Sequence, residues 1–206
     1  MFVLNDTKIL DNHNAYIERL NLYKNQGWDF IEERKKIIKK AKPLLGNVLE
    51  IGAGKGYFTI ELAKQNFNFI SIDSSAEELE YVKLNLKYYE LTDKVDFQVM
   101  DAEKMKFQDN YFDVIFSVGM LHHLDNPYMF IDEVLRVLKA DGKFIISDFS
   151  EKGFKIIREN HKKEGKTHPE NSFKISDIAK YIDKKVLKVN YLKTDFQDTL
   201  IVNGKK

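Results

Sequence analysis

The sequence predicts an α/β fold, a doubly wound, mostly parallel sheet of seven strands with helices on both faces. Three observations predict it. Residues 48–73 read as strand, glycine turn, helix, strand and acid, the plan of a nucleotide-binding βαβ unit. Apolar or alternating runs at 48–51, 69–72, 95–99, 114–117 and 144–149 are separated by helical patterns, the order that builds a parallel sheet. Two last runs, 186–195 and 199–202, follow one another directly and close the sheet as an antiparallel pair.

Length and composition set the frame. The 206 residues suffice for one domain with a sizeable core, divided here into a helical lead-in (1–43), a cofactor-binding core (44–150) and a closing segment (151–206). No cysteine occurs, which excludes disulfides, thiolate zinc sites, cysteine-held iron–sulfur clusters and a cysteine nucleophile. The start lacks the regions of a signal peptide and no apolar run reaches membrane-spanning length, so a cytoplasmic protein without membrane insertion is expected. Net charge is +1, with the middle of the chain acidic and residues 151–206 basic. The lysines there alternate with acids, the pattern of solvated helix faces, and nucleic acid is disfavoured as a partner.

Taken in order, residues 15–23 carry apolar side chains at helical spacing, and a second helix over 30–42 stops at Pro43. Strand 48–51 ends at Gly52-Ala53-Gly54-Lys55-Gly56, where glycine permits positive φ and close approach of a ligand. The second strand delivers Asp73 at its tip, placed for ribose hydroxyls. Ser74-Ser75 before Glu77-Glu78 marks a capped helix running to about residue 89. Strand 95–99 delivers Met100-Asp101-Ala102, and the fourth strand runs into Val118-Gly119-Met120-Leu121-His122-His123. A helix ending near Lys139 is followed by Gly142, expected to turn the chain into strand 144–149. Helices over 154–164 and 175–182 flank a loop at 167–171.

Spacing then selects the nucleotide. A dinucleotide turn would need glycine at position 57, where Tyr57 stands, and this argues against a nicotinamide-dependent oxidoreductase. Glu50 with Gly52, Gly54 and Gly56 resembles the first motif of class I S-adenosylmethionine (SAM)-dependent methyltransferases. Phe112-Asp113 before the fourth strand, Leu121-His122-His123 after it and Glu133-Val134-Leu135-Arg136-Val137-Leu138-Lys139 resemble the ubiquinone- and menaquinone-biosynthesis branch. The resemblance covers about residues 44–150 and implies a Rossmann-like fold with SAM as cofactor. It makes Glu50, Gly52, Ala53, Gly54, Gly56, Asp73, Ser74, Asp101, Ala102, Ser117 and Val118 candidates for cofactor contact, Asp73 at the ribose and Asp101 at the adenine. In similar families the lead-in folds over the pocket as a lid, which adds Tyr16, and with it Trp28 and His13.

A hydroxyl or acidic-carbon acceptor needs a base with a pKa near the working pH. The candidates are His122, His123, Asp148, His161 and His168; no metal motif is present. The proline-containing sequence that amino-directed DNA and RNA methylases carry after the fourth strand is absent at Ser117-Val118-Gly119-Met120. The expectation is therefore methylation of a small-molecule acceptor by a monomer or homodimer. An RNA or protein methyltransferase and a non-catalytic SAM-binding protein are the alternatives.

Overall fold

The computed structural model describes residues 2–167, 173–183 and 188–204, with side chains from Asp6 onward. Two helices, α1 (Phe2–Lys24) and α2 (Phe30–Ala41), precede β1 (Val48–Ile51), α3 (Tyr57–Ala63), β2 (Phe69–Asp73), α4 (Ala76–Tyr88) and β3 (Val95–Val99). Then come β4 (Phe112–Val118), α5 (Pro127–Val137), β5 (Leu138–Phe149), α6 (Glu151–Lys163), α7 (Ile175–Asp183), β6 (Lys188–Lys193) and β7 (Gln197–Asn203).

The seven strands lie in the order β3-β2-β1-β4-β5-β7-β6. All neighbours through β5 are parallel, and β7 runs antiparallel between β5 and β6. Strand order reverses between β1 and β4, the switch point at which open α/β sheets bind ligands. Register holds the carboxyl ends level there: Ile51 pairs with both Ile72 and Ser117, and Asp73 pairs with Val99. The glycine turn, Asp73, Asp101 and Gly119 therefore emerge on one rim.

Strand residues alternate between two buried faces. Val114, Phe116 and Val118 pack towards α2, α3 and α4, whereas Ile115 joins the core under α5 and α7. Burial on both faces explains the continuous apolar runs in the central strands. A third, mainly aromatic cluster gathers Tyr23, Trp28 and Phe30 from the lead-in with Ile156, Ile157 and Phe196, and Phe149 packs on it. It fixes α1 and α2 beside α6, above the rim. The helices start where local chemistry favours it: Asp29, Ser75 and Ser150 each accept a backbone N–H of the first turn.

One expectation about the chain path is corrected. Strand β5 begins at Leu138, paired with Phe112, and Gly142 lies inside it rather than in a turn before residue 144. The next register pair is Val114 with Lys143, so the residues between bulge out of the ladder. Lys139 Nζ, 2.8 Å from both Asp113 carboxylate oxygens, ties that bulge to β4. His168 and Val186 lie outside the described residues. Among the described residues, no helix is long and apolar enough to cross a membrane.

Candidate active site

The turn after β1 is built by conformation first. Gly52, Gly54 and Gly56 adopt φ of +83°, +49° and +82°, values that L side chains rarely take. The Gly52 N–H donates to Ile72 O (2.8 Å), holding the turn against β2. The Asp73 carboxylate accepts from the Gly54 N–H (2.8 Å) and the Ser75 N–H (2.9 Å), which fixes it at the tip of β2. A Cβ on Gly54 would meet nothing within 4 Å, so this part of the turn faces open space.

That space is a cleft of about 620 Å³ over the switch point. Gly52, Gly54, Asp73, Ser74, Asp101 and Ala102 line it, with Met100, Met120 and Leu124 as apolar walls. The cleft lies within the roughly 300–1,000 Å³ typical of small-molecule sites. Asp73, Glu78, Asp101, Glu103 and Asp125 all line it, with Lys55; of these, Asp73 and Asp101, with the open glycine, suit a ligand with vicinal hydroxyls and an amino group. SAM, the cofactor implied by the sequence, fits this set of residues.

A smaller cavity of about 180 Å³ adjoins it and shares Gly52, Gly54, Lys55, Gly119 and His123 with the cleft. Its remaining walls include Tyr23 and Arg34 of the lead-in helices, Ala53, Val118, Phe149 and, from α6, His161. The lead-in helices and α6 thus wall a second compartment beside the cleft.

His122 lines the smaller cavity from the short 3₁₀ turn after β4 and is buried. Asp148 near the end of β5 accepts its backbone N–H (2.9 Å) and sits 2.7 and 2.9 Å from its Nδ1. A carboxylate only accepts, so Nδ1 carries the proton and Nε2 is the basic ring nitrogen. Asp148 does not line the cavity and acts on it through His122. The His123 ring stands 4.0 Å from that of His122, at the border of both compartments. Desolvation, and then His122, lower its pKa from the ordinary value. His161 is likewise lowered, chiefly by burial.

Four expected cofactor contacts, Glu50, Gly56, Ser117 and Tyr16, line neither compartment. Glu50 is buried within the sheet and lines neither compartment; its carboxylate accepts from Ser71 Oγ (2.6 Å) and Thr59 Oγ1 (2.9 Å), tying β1 to β2 and α3. Burial raises its pKa to about 7, despite both hydrogen bonds. Gly56 starts α3, and a Cβ there would come within 2.9 Å of Val82 Cγ1, so it permits contact between α3 and α4. Ser117 is buried inside β4 and also lines neither compartment. Tyr16 stacks on Tyr57 at 5.2 Å with its phenol pKa pushed up by burial, and Trp28 packs between Phe196 and Phe149. His13 stacks on Tyr88 at 3.5 Å. Ala53 and Val118 line the smaller compartment, not the larger.

Arg34 and the aromatic walls were not among the expected site residues. A signal for Arg34 exists: it lies four residues from both Phe30 and Ile38, on the buried stripe of α2.

Residues 49–146 match the methyltransferase domain family. A demethylmenaquinone methyltransferase from Lactobacillus johnsonii is 28% identical over 157 residues, covering 74% of this chain and 62% of that protein. The uncharacterized methyltransferase YcgJ from Bacillus subtilis is 34% identical over 101 residues, 49% of this chain and 40% of that one. The chain thus spans less than two thirds of the length of these curated relatives. A SAM-dependent methyltransferase structure from Aquifex aeolicus superposes with a TM-score of 0.65 at 20% identity, covering 82% of this chain and 88% of that one, a likeness of fold. Residues 49–146 thus carry a methyltransferase domain, and the motif and the sequence relatives support a class I SAM-dependent methyltransferase of the branch related to the demethylmenaquinone enzymes.

Proposed function

We propose that the chain transfers the methyl group of SAM to a small-molecule acceptor held in the smaller compartment. The observation that carries this reading is the shared wall: Gly52, Gly54, Lys55, Gly119 and His123 border both compartments. A ligand in each would meet at that wall. The similarity to a demethylmenaquinone methyltransferase supports a small acceptor. When bound, SAM supplies an electrophilic methyl group on a sulfonium.

The chain's own residues bind and orient. Asp73 takes the ribose hydroxyls and Asp101 the adenine amino group. The aromatic cluster holds α1, α2 and α6 over the rim, which excludes water and restrains the acceptor. Orientation of this kind is worth roughly 7–11 kcal/mol in an in-line displacement. For an acceptor with an ionisable O–H or C–H, His122 Nε2 is the base and Asp148 the positioning residue that holds its tautomer. His123 and His161 border the acceptor, and His168 remains a candidate contact from the closing segment. We further propose that the protein acts as a monomer or homodimer in the cytoplasm.

Calorimetric titration with SAM, S-adenosylhomocysteine and NADH tests the reading. Binding of both adenosyl ligands without NADH is expected. NADH binding alone, or silence with all three, would overturn it.

A further inference from the structure

We infer that the acceptor carries an anionic group, a carboxylate on a small planar ring, which pairs with the Arg34 guanidinium in the smaller compartment. This rests on the methyl-transfer reading above and names the chemistry of its second ligand.

Arg34 projects from the middle of α2 and is 3% exposed. Its Nη1 donates to Gln197 Oε1 (2.6 Å), a neutral partner, and its Cζ sits 3.9 Å over the Phe30 ring. Its Nε is buried without a hydrogen-bond partner. Among the described residues, no carboxylate lies within ion-pair distance of it. Burial pulls its pKa down to about 10, which still leaves it charged at neutral pH.

The surrounding charges are already committed. Glu33, the first acid to act on Arg34, holds Lys36 (3.0 Å) and accepts from Thr194 Oγ1 (2.5 Å). Asp148 holds His122. The other arginine at the cavity, Arg19, is paired with Glu164, and Lys55 is exposed at the mouth. A guanidinium normally enters a protein interior as a bidentate partner of a carboxylate or phosphate, because an unpaired buried charge is costly. Here the cation is present, buried and short of its anion, and it faces a ligand cavity.

The cavity defines what surrounds that anion. Tyr23, Phe30, Tyr57 and Phe149 wall it with rings, and at about 180 Å³ it is smaller than a drug-sized site. A one-ring ligand, or one end of a longer one, matches that space. Arg34 Nη2 lies 3.9 Å from the Cβ position of Gly119, on the wall shared with the cofactor cleft. The anion therefore sits close to the atom that reacts. The α-carboxylate of the cofactor is the rival anion, but Arg34 lines only the smaller compartment.

The test titrates protein saturated with S-adenosylhomocysteine with benzoate, 4-hydroxybenzoate and 3,4-dihydroxybenzoate, each beside its amide. At least one carboxylate should bind about tenfold or more tightly than its amide. Arg34→Gln should abolish the preference, Arg34→Lys should keep part of it, and affinity for S-adenosylhomocysteine should stay within about threefold. Equal binding of acids and amides, binding of neither, or a preference that survives Arg34→Gln would overturn the inference. So would a large loss of S-adenosylhomocysteine affinity in Arg34→Gln, which would give the arginine to the cofactor. The wild-type comparison needs no variant, so misfolding of Arg34→Gln leaves the test intact. Failure of S-adenosylhomocysteine to bind the wild type would overturn the methyl-transfer reading itself, and the inference with it.

Discussion

Replacing Glu50 by glutamine tests the assignment of this motif acid as a support. Glu50 is 1% exposed, and both of its oxygens accept hydroxyl hydrogen bonds. Desolvation raises its pKa from 4.5 to about 7. Between those values the folded chain keeps a proton that the unfolded chain has released, so stability falls as pH rises through the window. At about 1.4 kcal/mol per pH unit, the contribution lost by pH 8 is about 3 kcal/mol. Glutamine is isosteric, does not titrate, and can still reach Ser71 and Thr59, whose hydroxyls rotate to suit. Urea unfolding of both proteins at about pH 5 and about pH 8 isolates the effect, because the other groups cancel in the difference. The Glu50→Gln protein should gain about 2.5 kcal/mol on the wild type between the two conditions, with little change in SAM affinity. A difference that stays flat with pH, or that favours the wild type at high pH, would refute the buried-carboxyl argument. A large loss of SAM affinity would return Glu50 to the cofactor.

The remaining predictions concern the rim. Asp73→Ala should weaken S-adenosylhomocysteine binding by roughly 1–3 kcal/mol, the worth of hydrogen bonds to a charged group, and an unchanged dissociation constant by calorimetry would move the ribose elsewhere. Gly56→Ala should lower stability by about 1–3 kcal/mol, through a left-handed backbone and a clash with Val82; thermal unfolding at the wild-type temperature would contradict it. Once an acceptor is found, His122→Ala should cost roughly 10²–10⁴-fold in turnover with cofactor affinity little changed. If the cofactor loss matches the turnover loss, His122 is an orienting residue and not the base.

The βαβ plan was legible because its signals are local: glycine where φ is positive, an acid ending a strand, and serine at a helix start. Side-chain direction within the motif was not. Strand β1 is buried on both faces, so alternation cannot say whether Glu50 turns towards the ligand or, as found, towards Ser71 and Thr59. Gly56 satisfies the same spacing as Gly54, yet one meets a neighbouring helix and the other open space. Tyr16 lies in α1 and Trp28 between α1 and α2, and their partners lie on α3, β5 and the segment before β7, contacts set by tertiary packing. Arg34 was hidden among the lysines of its helix, although its four-residue spacing from Phe30 and Ile38 placed it on the buried stripe. The strand start at Leu138 was missed because an apolar helix end and an apolar strand start share one run of residues.

A crystal structure of the chain with S-adenosylhomocysteine tests the two-compartment account most directly. The adenosine should occupy the larger cleft, with ribose hydroxyls within hydrogen-bond distance of the Asp73 carboxylate and the sulfur at the wall formed by Gly52, Gly54 and Gly119. Adenosine bound elsewhere, or a sulfur facing away from the smaller compartment, would contradict it.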